Sequence, residues 1–142
     1  MKFVVFVKGT AGYEAGAMPT EALIAEMTAF NEELSKAGII VMGEGLHPSS
    51  DSKRIAFHGN ERTVIDGPFA ETKELVAGFW IWECASMDEA MSWAKRCPKP
   101  HDEDCEIEIR QVFTMDEFGE ALTPELRARE DALRVEIEKR RG

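Results

Sequence analysis

The chain reads as an α+β sandwich with its helices on one face of a sheet, and three observations predict it. Apolar runs of strand length alternate with two segments of clear helical period. Those runs are rich in Val, Ile, Phe and Trp, which suit a pleated, packed surface. Their order, strand-helix-strand-hairpin-strand-helix-strand, makes two βαβ-like halves around an inserted hairpin.

Residues 3–7 (Phe3-Val4-Val5-Phe6-Val7) are uniformly apolar, the pattern of a strand covered on both faces. A loop from Gly9 to Met18 leads to Pro19, which fits a first helical turn. From there Leu23, Met27, Phe30, Leu34 and Ala37 recur at spacings of four and three, and Gly38 supplies the stop. Ile39 to Met42 is a second strand, running into Gly43-Glu44-Gly45-Leu46-His47-Pro48.

Arg54–His58 and Thr63–Ile65 flank Gly59-Asn60, which predicts a hairpin with a Gly-Asn turn. Val76 to Cys84 is an aromatic strand. Ser86-Met87-Asp88-Glu89 has the form of a capping box, so a second helix starts near Met87, and Pro98 ends it. Ile107, Ile109, Val112 and Phe113 mark the last core strand. Beyond it, Thr123-Pro124 opens a third helix, rich in i,i+4 pairs such as Glu125/Arg129, with a narrow stripe of Leu126, Leu133 and Ile137.

With 142 residues the chain has enough length for one core without disulfides or metal. The formal net charge of −10 repels phosphate backbones and argues against nucleic-acid binding. No apolar run approaches the roughly 20 residues of a membrane span. The apolar stretch at the start is too short for a secretory signal and lacks a small-residue cleavage site. Three cysteines, Cys84, Cys97 and Cys105, make no disulfide framework, so a reducing cytoplasm is the expected location.

Three segments together carry a resemblance: Lys2-Phe3-Val4-Val5-Phe6-Val7, Gly43-Glu44-Gly45-Leu46-His47-Pro48-Ser49, and Asp66-Gly67-Pro68-Phe69-Ala70-Glu71-Thr72-Lys73-Glu74. They resemble the DGPF branch of the YCII-related family, small bacterial proteins of the dimeric α+β barrel type. The resemblance spans residues 1 to about 113 and leaves 114–142 as a C-terminal helical extension. It implies a ferredoxin-like βαββαβ subunit whose sheet packs against a twofold mate, with a cleft on each side. Relatives of the family use a His-Asp pair, the histidine lying in a Pro-x-His context early in the first helix. Here that context reads Pro19-Thr20-Glu21, so the histidine is absent and the pair does not carry over. Some DGPF-type proteins also resemble partners of extracytoplasmic-function sigma factors.

Asp66 sits at a strand end before Gly67. Its carboxylate either caps backbone N–H groups in an Asx turn or lines a cleft as a general base. Glu44 lies between two glycines, which suits a bulge or a ligand pocket. His47, three residues on, is the third candidate for acid/base work, with Glu44 orienting it. Phe69 is either a core plug or part of the cleft. Trp80 and Trp82, two apart, share one sheet face and form the floor of a cleft or a dimer anchor if that face meets the partner. Cys97, His101 and Cys105 fall within nine residues, but two prolines stiffen the loop and the spacing is not that of a zinc site. It reads as an acidic loop, and neither a metal nor a cofactor is expected.

The expected protein is therefore a cytoplasmic homodimer. It would bind a small apolar or aromatic, neutral or cationic molecule where the two sheets meet, with lyase- or hydrolase-like chemistry by Asp66, Glu44 and His47. The competing expectation is a non-catalytic regulatory module that takes a protein partner on its C-terminal helix.

Overall fold

The computed structural model describes all residues, Met1–Gly142. They fall into two compact units, Met1–Gln111 and Val112–Gly142. The first contains strands β1 (Lys2–Lys8), β2 (Ile40–Gly45), β3 (Lys53–His58), β4 (Glu61–Asp66), β5 (Val76–Glu83) and β6 (Ile107–Gln111). Its helices are α1 (Ala11–Glu14), α2 (Glu21–Lys36) and α3 (Met87–Ala94). The main sheet is antiparallel throughout, in the order β2-β5-β1-β6. With β3 and β4 set aside as a separate two-stranded hairpin, this is the ferredoxin-like arrangement.

The sheet has two unlike faces because side chains alternate along each strand. Register aligns Val5 with Trp80 on one side and Ile109 on the other, and Phe3 with Trp82. That face is the core: Phe3, Val5, Trp82 and Leu34 are fully buried. Phe30 of α2 stands edge-on to both indoles, with centroids 5.9 Å from Trp80 and 6.3 Å from Trp82. Such edge contacts contribute about 0.5–1.5 kcal/mol beyond the area they bury. The tryptophan pair therefore packs under the helices. The sequence alone had left open whether helices or a partner subunit cover that face. Trp82 buries its indole N–H without an acceptor, a cost of about 1–3 kcal/mol set against the area of its ring.

The other face carries Val4, Phe6, Met42, Phe79 and Ile81, all partly exposed. Charged residues frame it, among them Lys8 and Glu108 at 4.0 Å.

The Ser86 cap expected from sequence is present, its Oγ accepting from the Glu89 amide at the start of α3. α2 starts at Glu21, with Thr20 Oγ1 accepting from the Leu23 amide, so Pro19 stands just before the helix and not in its first turn. Gly38 takes the left-handed conformation (φ 73°) just beyond the α2 C-cap. Three other details differ. The Gly9–Met18 loop contains the single turn α1, because Thr10 Oγ1 accepts from the Tyr13 amide. β6 stops at Gln111, before the exposed Val112 and Phe113. β2 bulges between Ile40 and Met42, leaving Val41 out of register.

The second unit holds a helical segment, Met115–Ala121, and α4 (Pro124–Arg141). Thr123 Oγ1 accepts from the Leu126 amide, so the predicted cap forms. No α4 residue is buried, and Leu126, Leu133 and Ile137 stand exposed. No helix in the chain is long and apolar enough to cross a membrane.

Candidate functional site

A groove of about 1080 Å³ opens on the helix-facing side of the sheet, within the first unit. Its origin is the apolar stripe of α2. The C-terminal part of that stripe, Phe30 and Leu34, is buried in the core. Leu23 and Met27, nearer the N-terminus, are half-buried and form a wall of the groove. Trp80 and Ile40 contribute the floor.

The floor depends on Gly43. A Cβ there would come 2.6 Å from Trp80 Cδ1, so only glycine leaves the indole room to lie over β2. The ring is then fixed by its N–H, which donates to Asn31 Oδ1 of α2 at 2.9 Å. The groove thus has a rigid aromatic base, as ligand pockets commonly do.

Its far wall comes from α1 and the loop after α3. The Tyr13 hydroxyl donates to the Leu46 carbonyl, and burial, then the neighbouring Glu14 carboxylate, raises its pKa. His101 lies against Tyr13 with ring centroids 5.9 Å apart, and its Nε2 is 3.0 Å from the Lys8 carbonyl oxygen. Glu103 accepts from the Thr10 hydroxyl and from the Gly12 amide at 2.9 Å. Those two hydrogen bonds, in that order, hold its pKa below the usual carboxylate range. Sequence reasoning had weighed His101 only as a metal ligand and passed over Tyr13. The signal for them was faint, since 88 positions separate the two and only the fold joins them.

The predicted site residues scatter. Glu44 and His47 reach the groove rim, but they are not partnered with each other. His47 Nδ1 is 3.2 Å from Asp51 Oδ2, with the histidine side chain 86% exposed. Glu44 is exposed opposite Phe79, because the β2 bulge shifts it to the open face of the sheet. Asp66 lies outside the groove at the end of β4. Its carboxylate pairs with Lys53 Nζ at 2.6 Å across the hairpin, rather than capping the turn that follows. Trp80 floors the groove, whereas Trp82 is wholly in the core.

The Asp66–Lys73 segment has a different task. Gly67–Pro68 is a cis peptide, and the Gly67 amide donates to the Ser52 carbonyl at 2.8 Å. The Phe69 amide donates to Ser49 Oγ at 2.9 Å. Ser49 is buried and donates both its amide, at 2.9 Å, and its hydroxyl to the Glu14 carboxylate. Arg54 stacks on the Phe69 ring at 3.8 Å. A second, smaller cleft of about 320 Å³ borders this cluster, but its Glu14 and Ser49 are already bonded to each other. The motif ties the hairpin to the body of the unit.

No group of three or more His, Cys, Asp or Glu side chains converges as metal ligands would. Cys97 is partly buried, its thiol directed at the Pro98 carbonyl at 3.2 Å. Burial, then Cys105 nearby, pushes its pKa up to about 11.

Comparison with known proteins places this geometry in a lineage. The model of the YCII-related domain matches residues 1–116. An uncharacterised protein of Rhizobium meliloti (strain 1021) is 31% identical over 92 residues, which cover 65% of this chain and 74% of that protein. The family match spans the ferredoxin-like sheet and its helices, and the chain belongs to the YCII-related family.

Proposed function

We propose that the protein binds a small apolar or aromatic molecule, neutral or cationic, in the groove between α2 and the sheet. The observation that carries this is the groove itself: about 1080 Å³, floored by a hydrogen-bonded Trp80 and walled by Leu23 and Met27. Apolar lining with a few polar groups is what small-molecule sites share. Rim carboxylates Asp102 and Glu103 outnumber the rim ammonium of Lys99, which disfavours anions. Proton transfer of the lyase or hydrolase kind would draw on His47 at the rim, since Glu44 turns its carboxylate to the open face and Asp66 serves the hairpin.

The test is a titration with benzyl alcohol, benzylamine and benzoate, followed through the Trp80 indole and Met27 methyl resonances. The alcohol and the amine should shift both signals, benzoate should do so more weakly, and Leu23→Trp should abolish the response by filling the groove. Shifts confined to other regions would refute the site.

A homodimer belongs to the same reading. The open face with Val4, Phe6, Phe79 and Ile81 is the surface a second copy would cover, keeping apolar area from water. Phe6→Glu should then yield a monomer, and a native mass of 15.9 kDa in solution would overturn the dimer. The exposed Leu126, Leu133 and Ile137 of α4 favour a second reading, a regulatory module that takes a protein partner there. Removing residues 114–142 should abolish capture of that partner and spare the groove titration.

A further inference from the structure

Resting on the groove reading above, we infer that His101 recognises the bound molecule. Its Nδ1 accepts a hydrogen bond from a hydroxyl or N–H group, so the groove selects neutral ring compounds that carry a donor, such as phenols and enols.

The argument begins with the Lys8 carbonyl, which lies 3.0 Å from His101 Nε2. A carbonyl oxygen can only accept, so Nε2 carries the hydrogen. In the neutral imidazole the other nitrogen must then be the lone-pair atom. Nδ1 has no protein partner, and the residue lines the groove.

The ring is also held in place. Tyr13 packs against it with the two rings tilted at 57°, and Tyr13 is itself fixed at both ends, by its hydroxyl on Leu46 and its amide on Thr10. Pro98 and Pro100 stiffen the loop before it, and Glu103 anchors the loop after it to Gly12. A fixed acceptor beside an aromatic floor loses little conformational freedom on binding. The acidic rim disfavours the anionic alternative, in which a protonated imidazole would pair with a carboxylate ligand.

The probes are 2-naphthol and 2-methoxynaphthalene, which differ by the donor hydrogen and stay neutral at pH 7. Shifts of the Trp80 indole resonance give the affinity of each. The native protein should prefer the naphthol by roughly fivefold or more, the value of one net hydrogen bond to a partly buried acceptor. His101→Lys removes the acceptor, because an ammonium only donates, while it can still donate to the Lys8 carbonyl, so the preference should vanish with the fold intact. His101→Ala, which removes both, distinguishes a merely structural role: a purely structural histidine would be rescued by Lys in every respect.

A readout that needs no variant is the ¹⁵N resonance of His101. Naphthol should move Nδ1 and leave the protonated Nε2 in place. Equal affinities for the two probes in the native protein, an unchanged preference in His101→Lys, or a static Nδ1 signal would each overturn the inference. In those cases binding of the methyl ether would still leave the groove reading standing. If neither probe perturbs Trp80, both fall together.

Discussion

Replacing Gly67 by Ala probes what the Asp-Gly-Pro-Phe segment does. A Cβ at residue 67 would lie 2.7 Å from the Ser49 carbonyl carbon and closer still to its oxygen. Ser49 has no freedom to retreat. Its amide and hydroxyl are bonded to Glu14, its hydroxyl oxygen accepts from Phe69, and its carbonyl accepts from the Ser52 amide at 2.9 Å. Overpacking of this kind costs about 1–3 kcal/mol. Loss of the Gly67–Ser52 or the Phe69–Ser49 hydrogen bond adds about 1 kcal/mol. The combined cost, about 2–4 kcal/mol, falls on the attachment of the hairpin rather than on the core.

Native-state hydrogen exchange is therefore the assay. The amides of Gly67 and Phe69 should exchange roughly 30- to 1,000-fold faster in Gly67→Ala, while those of β1 and β5 hold their protection. Asp66→Ala is the contrast. Its ion pair with Lys53 is exposed, with 71% of the aspartate side chain accessible, and such pairs contribute about 0–1 kcal/mol. Its effect should stay within about fivefold. Unchanged exchange at Phe69 in Gly67→Ala, or an equal effect from Asp66→Ala, would refute the anchoring role and return attention to the carboxylate.

Two further outcomes follow from the core and the thiols. Leu34→Ala should destabilise the first unit by about 2–5 kcal/mol in denaturant melts, because Leu34 is fully buried on the α2 stripe, and a change below about 1 kcal/mol would contradict that packing. Cys97, with its pKa raised from 9.0 to about 11, should carry ~100-fold less thiolate near pH 8 than an ordinary cysteine and react correspondingly slowly with a disulfide reagent in the folded protein. The fold favours its protonated form, so that contribution to stability is complete below pH 9 and is lost as pH rises through about 11. Reaction at the rate of a free thiol would disprove the burial.

Element type and order were legible in the chain because they are local or periodic properties. The α2 stripe, the Ser86 and Thr123 caps, the Gly59-Asn60 turn and the apolar strands each declare themselves within a few residues. The α+β sandwich of two βαβ-like halves followed from them, and the resemblance to the family implied its ferredoxin-like form. Membership of the family was legible too, through motifs short enough to quote.

Which face each side chain meets was decided only in three dimensions. Strict alternation from Ile40 would put Glu44 on the same face as Ile40, and the bulge at Val41 reverses this, placing Gly43 under Trp80 and Glu44 on the opposite side. Alternation also put Trp80 and Trp82 together, yet nothing in the strand itself says whether helices or a partner cover that face. Tyr13 and His101 meet because α1 and the loop after α3 converge beside the Lys8 end of β1, a coincidence of topology with no trace in spacing. The acidic Asp66 turn drew attention by its charge. Its glycine matters more, because a close backbone approach from residue 49 is invisible until both segments are folded. Sequence by itself determined the elements and the lineage. Packing decided the groove, since contacts between residues far apart in the chain arise from the register and twist of the assembled sheet.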